Sequence, residues 1–315
     1  MAAYYKNPVY DQYMADPFIL HHEGQYYAYG TGSSSPEGLR FPVLQSSDLV
    51  NWKHQGWALR PPGGDEFWAP EVACSNGLFH LYYSAHGIDD QDHQLRVATS
   101  PDPLGPFHDS GRILVPDQPF SIDAHPFRDR DGQWYLFYSV DFLTLDGEYR
   151  VGTGIVVDRM LDMFTLAGDP QVVIRPHADW QLFKAQRTMY GAVYDWHTVE
   201  GPALRLHNNR YYCFYSGGAW EHDNYGVSYV VADQPMGPYR MPPEGEQALL
   251  RSAPGHLIGP GHNSFTESPA GGQEYIVYHA WDPEMTARRM CIDKLEWDLD
   301  TPVIHGPTWT EQPLD

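Results

Sequence analysis

Cysteine, basic charge, long apolar runs and helical periodicity are all scarce in this sequence, and each shortage excludes something. The three cysteines, Cys74, Cys213 and Cys291, cannot all pair, and no Cys-x-x-Cys spacing offers a zinc or redox site. Their apolar and aromatic neighbours suggest buried free thiols. The longest apolar stretches are strand-length, such as Ile155-Val156-Val157 and Tyr275-Ile276-Val277-Tyr278. A membrane helix needs roughly 20 apolar residues, so no helical span is expected. Lys and Arg number 20 against 41 Asp and Glu, a formal charge of -21 that argues against a nucleic-acid binder. The first residues lack the apolar core of a secretory signal, so a cytoplasmic location is expected.

What is abundant points to β-structure. The 22 Tyr and 10 Trp, with 29 Gly and 27 Pro, describe short aromatic strands joined by tight turns. Five segments share one plan: a polar residue near Pro or Gly, a turn, then an aromatic strand. They are Asp16-Pro17-Phe18 leading to Tyr26-Tyr27-Ala28-Tyr29, Ala69-Pro70-Glu71 to Phe79-His80-Leu81-Tyr82-Tyr83, and Asp123-Ala124-His125-Pro126 to Trp134-Tyr135-Leu136-Phe137-Tyr138. Glu200-Gly201-Pro202 leads to Tyr211-Tyr212-Cys213-Phe214-Tyr215, and Gly261-His262-Asn263 to Tyr275-Ile276-Val277-Tyr278. The lead positions 16, 71, 123, 200 and 262 are 55, 52, 77 and 62 residues apart. Blades of four strands take about 40–50 residues in familiar repeats, so these intervals suit blades with longer loops. A second repeated element, as in Ser47-Asp48-Leu49-Val50-Asn51-Trp52, reads as an Asp turn delivering an aromatic to an outer strand. The expected fold is all-β, a single five-bladed β-propeller over residues 1–315 with no C-terminal β-sandwich. The run Cys291 to Trp297 reads as an outer strand of the last blade.

Five equivalent positions then converge on one axis, and besides Glu71 three are acidic: Asp16, Asp123 and Glu200. Grouped carboxylates are unfavourable unless they bind a cation or move protons. Here the motifs become specific as a set. Ala15-Asp16-Pro17-Phe18, Trp68-Ala69-Pro70-Glu71-Val72, Ser121-Ile122-Asp123-Ala124-His125-Pro126, Val199-Glu200-Gly201-Pro202 and Gly259-Pro260-Gly261-His262-Asn263 resemble, in order, the motifs of glycoside hydrolase family 43. The resemblance runs from about Asn7 to the end of the chain.

That resemblance implies an inverting glycosidase at the centre of the propeller, acting on arabinose- and xylose-containing oligosaccharides. Carried over, it makes Asp16 the general base, Glu200 the general acid, and Asp123 a third carboxylate that orients the acid and adjusts its pKa. It makes Trp68 an aromatic wall for a sugar ring and Arg289 the arginine that contacts sugar hydroxyls. Arg288, one step out of phase on the strand, should face away. His262 matches a histidine near a central cation, often calcium, which it would reach through water. No organic cofactor is expected. The expected partner is a small oligosaccharide, with no nucleic acid and no membrane.

Three other readings compete. A non-catalytic sugar-binding propeller has no need of three converging carboxylates. A protein-interaction propeller of the WD40 or kelch type would show Gly-His and Trp-Asp repeats at about 40-residue spacing, which are missing. A retaining five-bladed fructosidase would carry an Arg-Asp-Pro triplet and Cys after the acid. Here Gly201 follows Glu200 and no such triplet occurs.

Overall fold

Residues of high strand propensity fall in short runs punctuated by turn formers, and the chain folds accordingly. The computed structural model describes residues 3–88, 92–145 and 147–314, and among them every regular element is a β-strand apart from two short 3-10 turns. No helix there is long and apolar enough to cross a membrane.

Strand β1 (Ala3–Tyr5) precedes the first antiparallel sheet of β2 (Ala15–His22), β3 (Gln25–Thr31), β4 (Arg40–Ser46) and β5 (Lys53–Arg60). The second sheet contains β6 (Phe67–Ser75), β7 (Leu78–Ala85), β8 (Gln94–Ser100) and β9 (Phe107–Ile113). The third has β10 (Ser121–Arg128), β11 (Trp134–Phe142) and β12 (Gly152–Asp162), with β13 (Thr165–Leu166) and β14 (Gln171–Ile174) paired to β12. The fourth is β15 (Leu182–Met189), β16 (Ala192–His207), β17 (Arg210–Gly217) and β18 (Gly226–Ala232). The fifth is β19 (Ile258–Glu267), β20 (Glu274–Trp281), β21 (Arg288–Asp298) and β22 (Thr301–Ile304). Finally β23 (Gln312–Leu314) pairs antiparallel with β1, joining the two ends of the described chain. Short parallel contacts, β5 with β9 and β12 with β16, join the first group to the second and the third to the fourth, so that the hydrogen-bonded sheets have eight, nine and four strands beside the β1–β23 pair. The run from Cys291 to Trp297 is therefore the third strand of its sheet, because β22 lies outside it.

The first strands of the sheets, β2, β6, β10, β16 and β19, pack side by side, and β19 returns to β2 to close a ring. Five apolar clusters fill the seams between neighbouring sheets. One joins Tyr29, Phe41 and Val43 to Phe67, Leu81 and Tyr83; another joins Tyr212, Phe214 and Tyr229 to Ile276, Tyr278 and Leu295. Sheets covered on both faces show little alternation, and β18 is buried along its whole length. Tyrosine hydroxyls cross several seams: Tyr26 donates to Glu267 O, Tyr82 to Met163 O and Tyr212 to Asp300 O, at 2.8–2.9 Å. Cys213 and Cys291 are buried thiols, whereas Cys74 is half-buried.

Each strand of the ring carries a bulge in the same place, and β19 has a further register shift between Ile258 and Gly261. Register shifts fall between Ala15 and Phe18, Trp68 and Glu71, Ile122 and His125, Glu200 and Ala203, and Gly261 and Ser264. The residue that makes each bulge, Asp16, Ala69, Asp123, Gly201 or His262, has a left-handed backbone with φ between 47° and 59°. Such a bulge bends the strand and re-aims its side chains. This corrects the sequence register: Ala69 rather than Glu71 is equivalent to Asp16, and Glu200 stands one residue before its bulge.

Candidate active site

The bulges of the first, third and fifth sheets turn Asp16, Asp123 and His262 into a single cavity of about 300 Å³, and Glu200 joins them from the fourth. Trp68, Tyr13, Thr31, Ile122, Trp220, Tyr225 and Arg288 complete its lining. Glycine suits the place after Glu200, where the backbone is left-handed and a Cβ would lie in close contact, 3.3 Å, with the His262 ring. Gly261 is required more strictly, since a Cβ would lie 2.1 Å from Tyr225 Cε1.

Asp16 is surrounded by cations and an imidazole. Its Oδ1 lies 3.4 Å from His262 Nδ1, 3.6 Å from an Arg288 guanidinium nitrogen and 3.3 Å from His279 Nδ1. The Asp16 amide donates to His279 Nδ1 at 3.0 Å, so that nitrogen is an acceptor and the ring is neutral. Burial agrees, pushing His279 down to about 4. For Asp16, burial opposes ionisation, but the charges of His262 and Arg288 outweigh it and hold the carboxyl far below the usual range. For His262, burial opposes protonation, and the carboxylates of Asp16, Asp123, Glu200 and Glu71 overcome it and raise its pKa. Asp16 is an anion.

Glu200 has the opposite environment. Burial first, and the charge of Asp123 second, push its pKa up to about 7. Asp123 is raised too, chiefly by burial. The two share a proton near neutrality, and Gly201 N–H decides where it sits by donating to Asp123 Oδ2 at 3.0 Å. That bond favours charge on Asp123 and leaves the proton on Glu200, whose Oε1 accepts from the Tyr225 hydroxyl at 2.8 Å. One cavity thus holds a proton acceptor and a proton donor.

The two arginines exchange the places expected of them. Arg288 faces the cavity, stacked 4.2 Å above the Trp220 ring and donating to Tyr13 Oη at 2.7 Å. Arg289 points away, paired with Asp282 and donating to the Asp11 carbonyl at 2.8 Å. Alternation along β21 holds, but its phase is set by the pairing of Arg288 with Trp281, which the local sequence does not reveal. Trp68 lines the cavity as expected, with a neutral His93 ring stacked 3.5 Å behind it. His125 does not reach the cavity. Its Nδ1 donates to Glu71 Oε2 at 2.8 Å and its Nε2 accepts from Leu204 N–H at 3.0 Å, tying three strands of the ring.

Calcium fits this donor set poorly. It takes about six to eight oxygen ligands, and among the described residues no three His, Cys, Asp or Glu side chains group to hold a metal ion. The positive charge facing Asp16 is supplied by His262 and Arg288.

Comparison with known proteins agrees with this geometry. Residues 5–302 match the profile of glycosyl hydrolases family 43. The chain belongs to that family. This family 43 enzyme is 31% identical to a β-D-galactofuranosidase of Aspergillus niger, over 92% of the chain and 81% of the relative. It is 28% identical to an extracellular exo-α-(1→5)-L-arabinofuranosidase of Streptomyces chartreusis, over 88% and 82%. The crystal structure of a thermostable family-43 glycoside hydrolase superposes with a TM-score of 0.79 at 32% identity, covering 98% of both chains. The family 43 site also contains residues that sequence reasoning missed. Tyr225, His279 and Trp220 come from loops and strands remote from every motif. Only the glycine at 261 hinted that a large group presses there.

Proposed function

We propose that this family 43 glycosidase is an exo-acting, inverting enzyme on a five-bladed β-propeller. It removes terminal L-arabinofuranose or D-xylose from short plant-derived oligosaccharides. The observation that carries the reading is the opposed surroundings of two carboxyls in one cavity: Asp16 faces His262 and Arg288, whereas Glu200 is enclosed with Asp123 and accepts from Tyr225. Asp16 takes a proton from the water that attacks the anomeric carbon, while Glu200 gives its proton to the departing oxygen. Asp123, held by the Gly201 amide, orients Glu200 and keeps it protonated. A binding module would have no use for an acid kept protonated.

Exo-action is supported by the size of the cavity, at the lower end of the roughly 300–1,000 Å³ typical of ligand sites. Trp68 supplies a flat face for one ring, and Arg288, stacked on Trp220, supplies donors for its hydroxyls. The named relatives act on furanosides, so a β-D-galactofuranoside is a second substrate to test. The decisive assay compares para-nitrophenyl α-L-arabinofuranoside, β-D-xyloside and β-D-galactofuranoside. Proton NMR of the first-formed sugar is then recorded before mutarotation. A β-xyloside should release α-xylose first; release of β-xylose would make Asp16 a nucleophile and overturn the mechanism. Absence of turnover on all three glycosides would overturn the substrate assignment.

A further inference from the structure

A bulge removes an amide from its own ladder, and a buried amide needs another partner. In four strands of the ring, a side chain on the second strand of the preceding sheet provides it. Thr31 Oγ1 accepts from Ala69 N–H at 2.9 Å, Ser84 Oγ from Asp123 at 3.1 Å, Ser216 Oγ from His262 at 2.7 Å, and His279 Nδ1 from Asp16 at 3.0 Å. These acceptors share one register position. Thr31 stands opposite Ala15, Ser84 opposite Trp68, Ser216 opposite Glu200 and His279 opposite Gly261. Each is paired with the residue just before its own sheet's bulge.

A fifth acceptor stands in the same place. Ser139 is opposite Ile122, and by the pattern of the other four it would take the amide of Gly201. That amide goes instead to Asp123 Oδ2, and Ser139 Oγ, fully buried, has no partner. A buried hydroxyl without a partner is unfavourable, and alanine would avoid the penalty. The one latch left open is the one beside the general acid.

We propose that Ser139 is a positioning residue for the acid: it is the alternative acceptor for the Gly201 amide, and its competition with Asp123 sets how firmly Asp123 is held beside Glu200. The inference rests on the reading of Asp123 as the carboxylate that orients Glu200. Asp123 is faced by Asp16 from β2, Glu71 from β6, Glu200 from β16 and His262 from β19. Once Glu200 has given up its proton and Asp16 has taken one from water, the carboxylates of Asp123, Glu200 and Glu71 confront one imidazolium. Transfer of the amide to Ser139 lets Asp123 move back from the newly charged Glu200 until solvent reprotonates the acid.

The test uses Ser139→Ala, Ser139→Thr and, as a latch that is made, Ser216→Ala. Ser139→Ala should melt at or above the wild-type temperature, whereas Ser216→Ala should melt lower. With the amide committed to Asp123, Ser139→Ala should shift the basic limb of kcat/KM upward by a few tenths of a pH unit. It should also lower kcat several-fold at unchanged KM, and Ser139→Thr should restore both. A fall in melting temperature matching Ser216→Ala, with the pH profile unmoved, would make Ser139 an ordinary latch and overturn the inference. So would a Ser139→Ala enzyme identical to wild type in kcat and pH profile. Asp123→Asn separates the two levels: full activity there refutes the role of Asp123 itself. An inactive Asp123→Asn beside an unaltered Ser139→Ala refutes only Ser139.

Discussion

Replacing Tyr225 by Phe isolates one contact to the general acid. The Tyr225 hydroxyl is 2.8 Å from Glu200 Oε1, and the ring is almost fully buried against Gly261. Phenylalanine keeps that packing and removes only the donor. A hydrogen bond to a charged group contributes about 1.5–3 kcal/mol, and one to a neutral group about 0.5–1.5 kcal/mol. Loss of the donor therefore disfavours the ionised acid by about 1–1.5 kcal/mol, which is about one pH unit at 1.36 kcal/mol per unit. Burial and Asp123 already raise Glu200 to about 7, and the Tyr225 bond pulls the other way. The basic limb of kcat/KM in Tyr225→Phe should move up by about one pH unit. The assay is a pH profile on an aryl glycoside, with thermal melting to confirm that the fold is kept. A basic limb that stays in place or moves down would refute the assignment of Glu200 as the acid.

Other outcomes follow from the same geometry. Glu200 ionises near 4.5 ordinarily and near 7 here, so its contribution to stability is full below pH 4.5 and is lost as pH rises through 7. Glu200→Gln should exceed wild type in stability by on the order of 2 kcal/mol at pH 8 and by much less at pH 5; melting curves giving an equal gap at both would contradict the raised pKa. Arg288→Ala should lower kcat/KM by about 100-fold or more, and Arg289→Ala by less than about threefold; the reverse ranking in steady-state assays would restore the arginine assignment drawn from sequence. Extensive dialysis against a chelator should leave melting temperature and activity unchanged. A loss restored by calcium would show an ion held through water at His262.

Legibility from sequence followed the range of the interactions. The convergence of Asp16, Asp123 and Glu200 on one cavity was readable because each stands in a short local motif with a nearby Pro or Gly that recurs along the chain. The five aromatic strands were readable because strand propensity is local. The alignment of the repeat was not, because the bulge position is fixed by pairing across strands. Glu71 was therefore taken for a slot that Ala69 fills, and the phase of Arg288 and Arg289 was inverted. Tyr225, His279 and Trp220 left no trace because their roles depend on contacts with residues far along the chain. The calcium expectation came from a motif at His262, whose imidazole faces the Asp16 carboxylate at 3.4 Å.

The five apolar clusters lie in the seams, so no sheet owns a core of its own. Excising any one sheet would open two interiors at once, and the survivors would face water with half of each missing. Folding stability is consequently a property of closure. The long hairpin of β15 and β16 carries exposed Tyr190 and Val193 at its far end. Such a projection can be lengthened, shortened or rewritten without opening an interior.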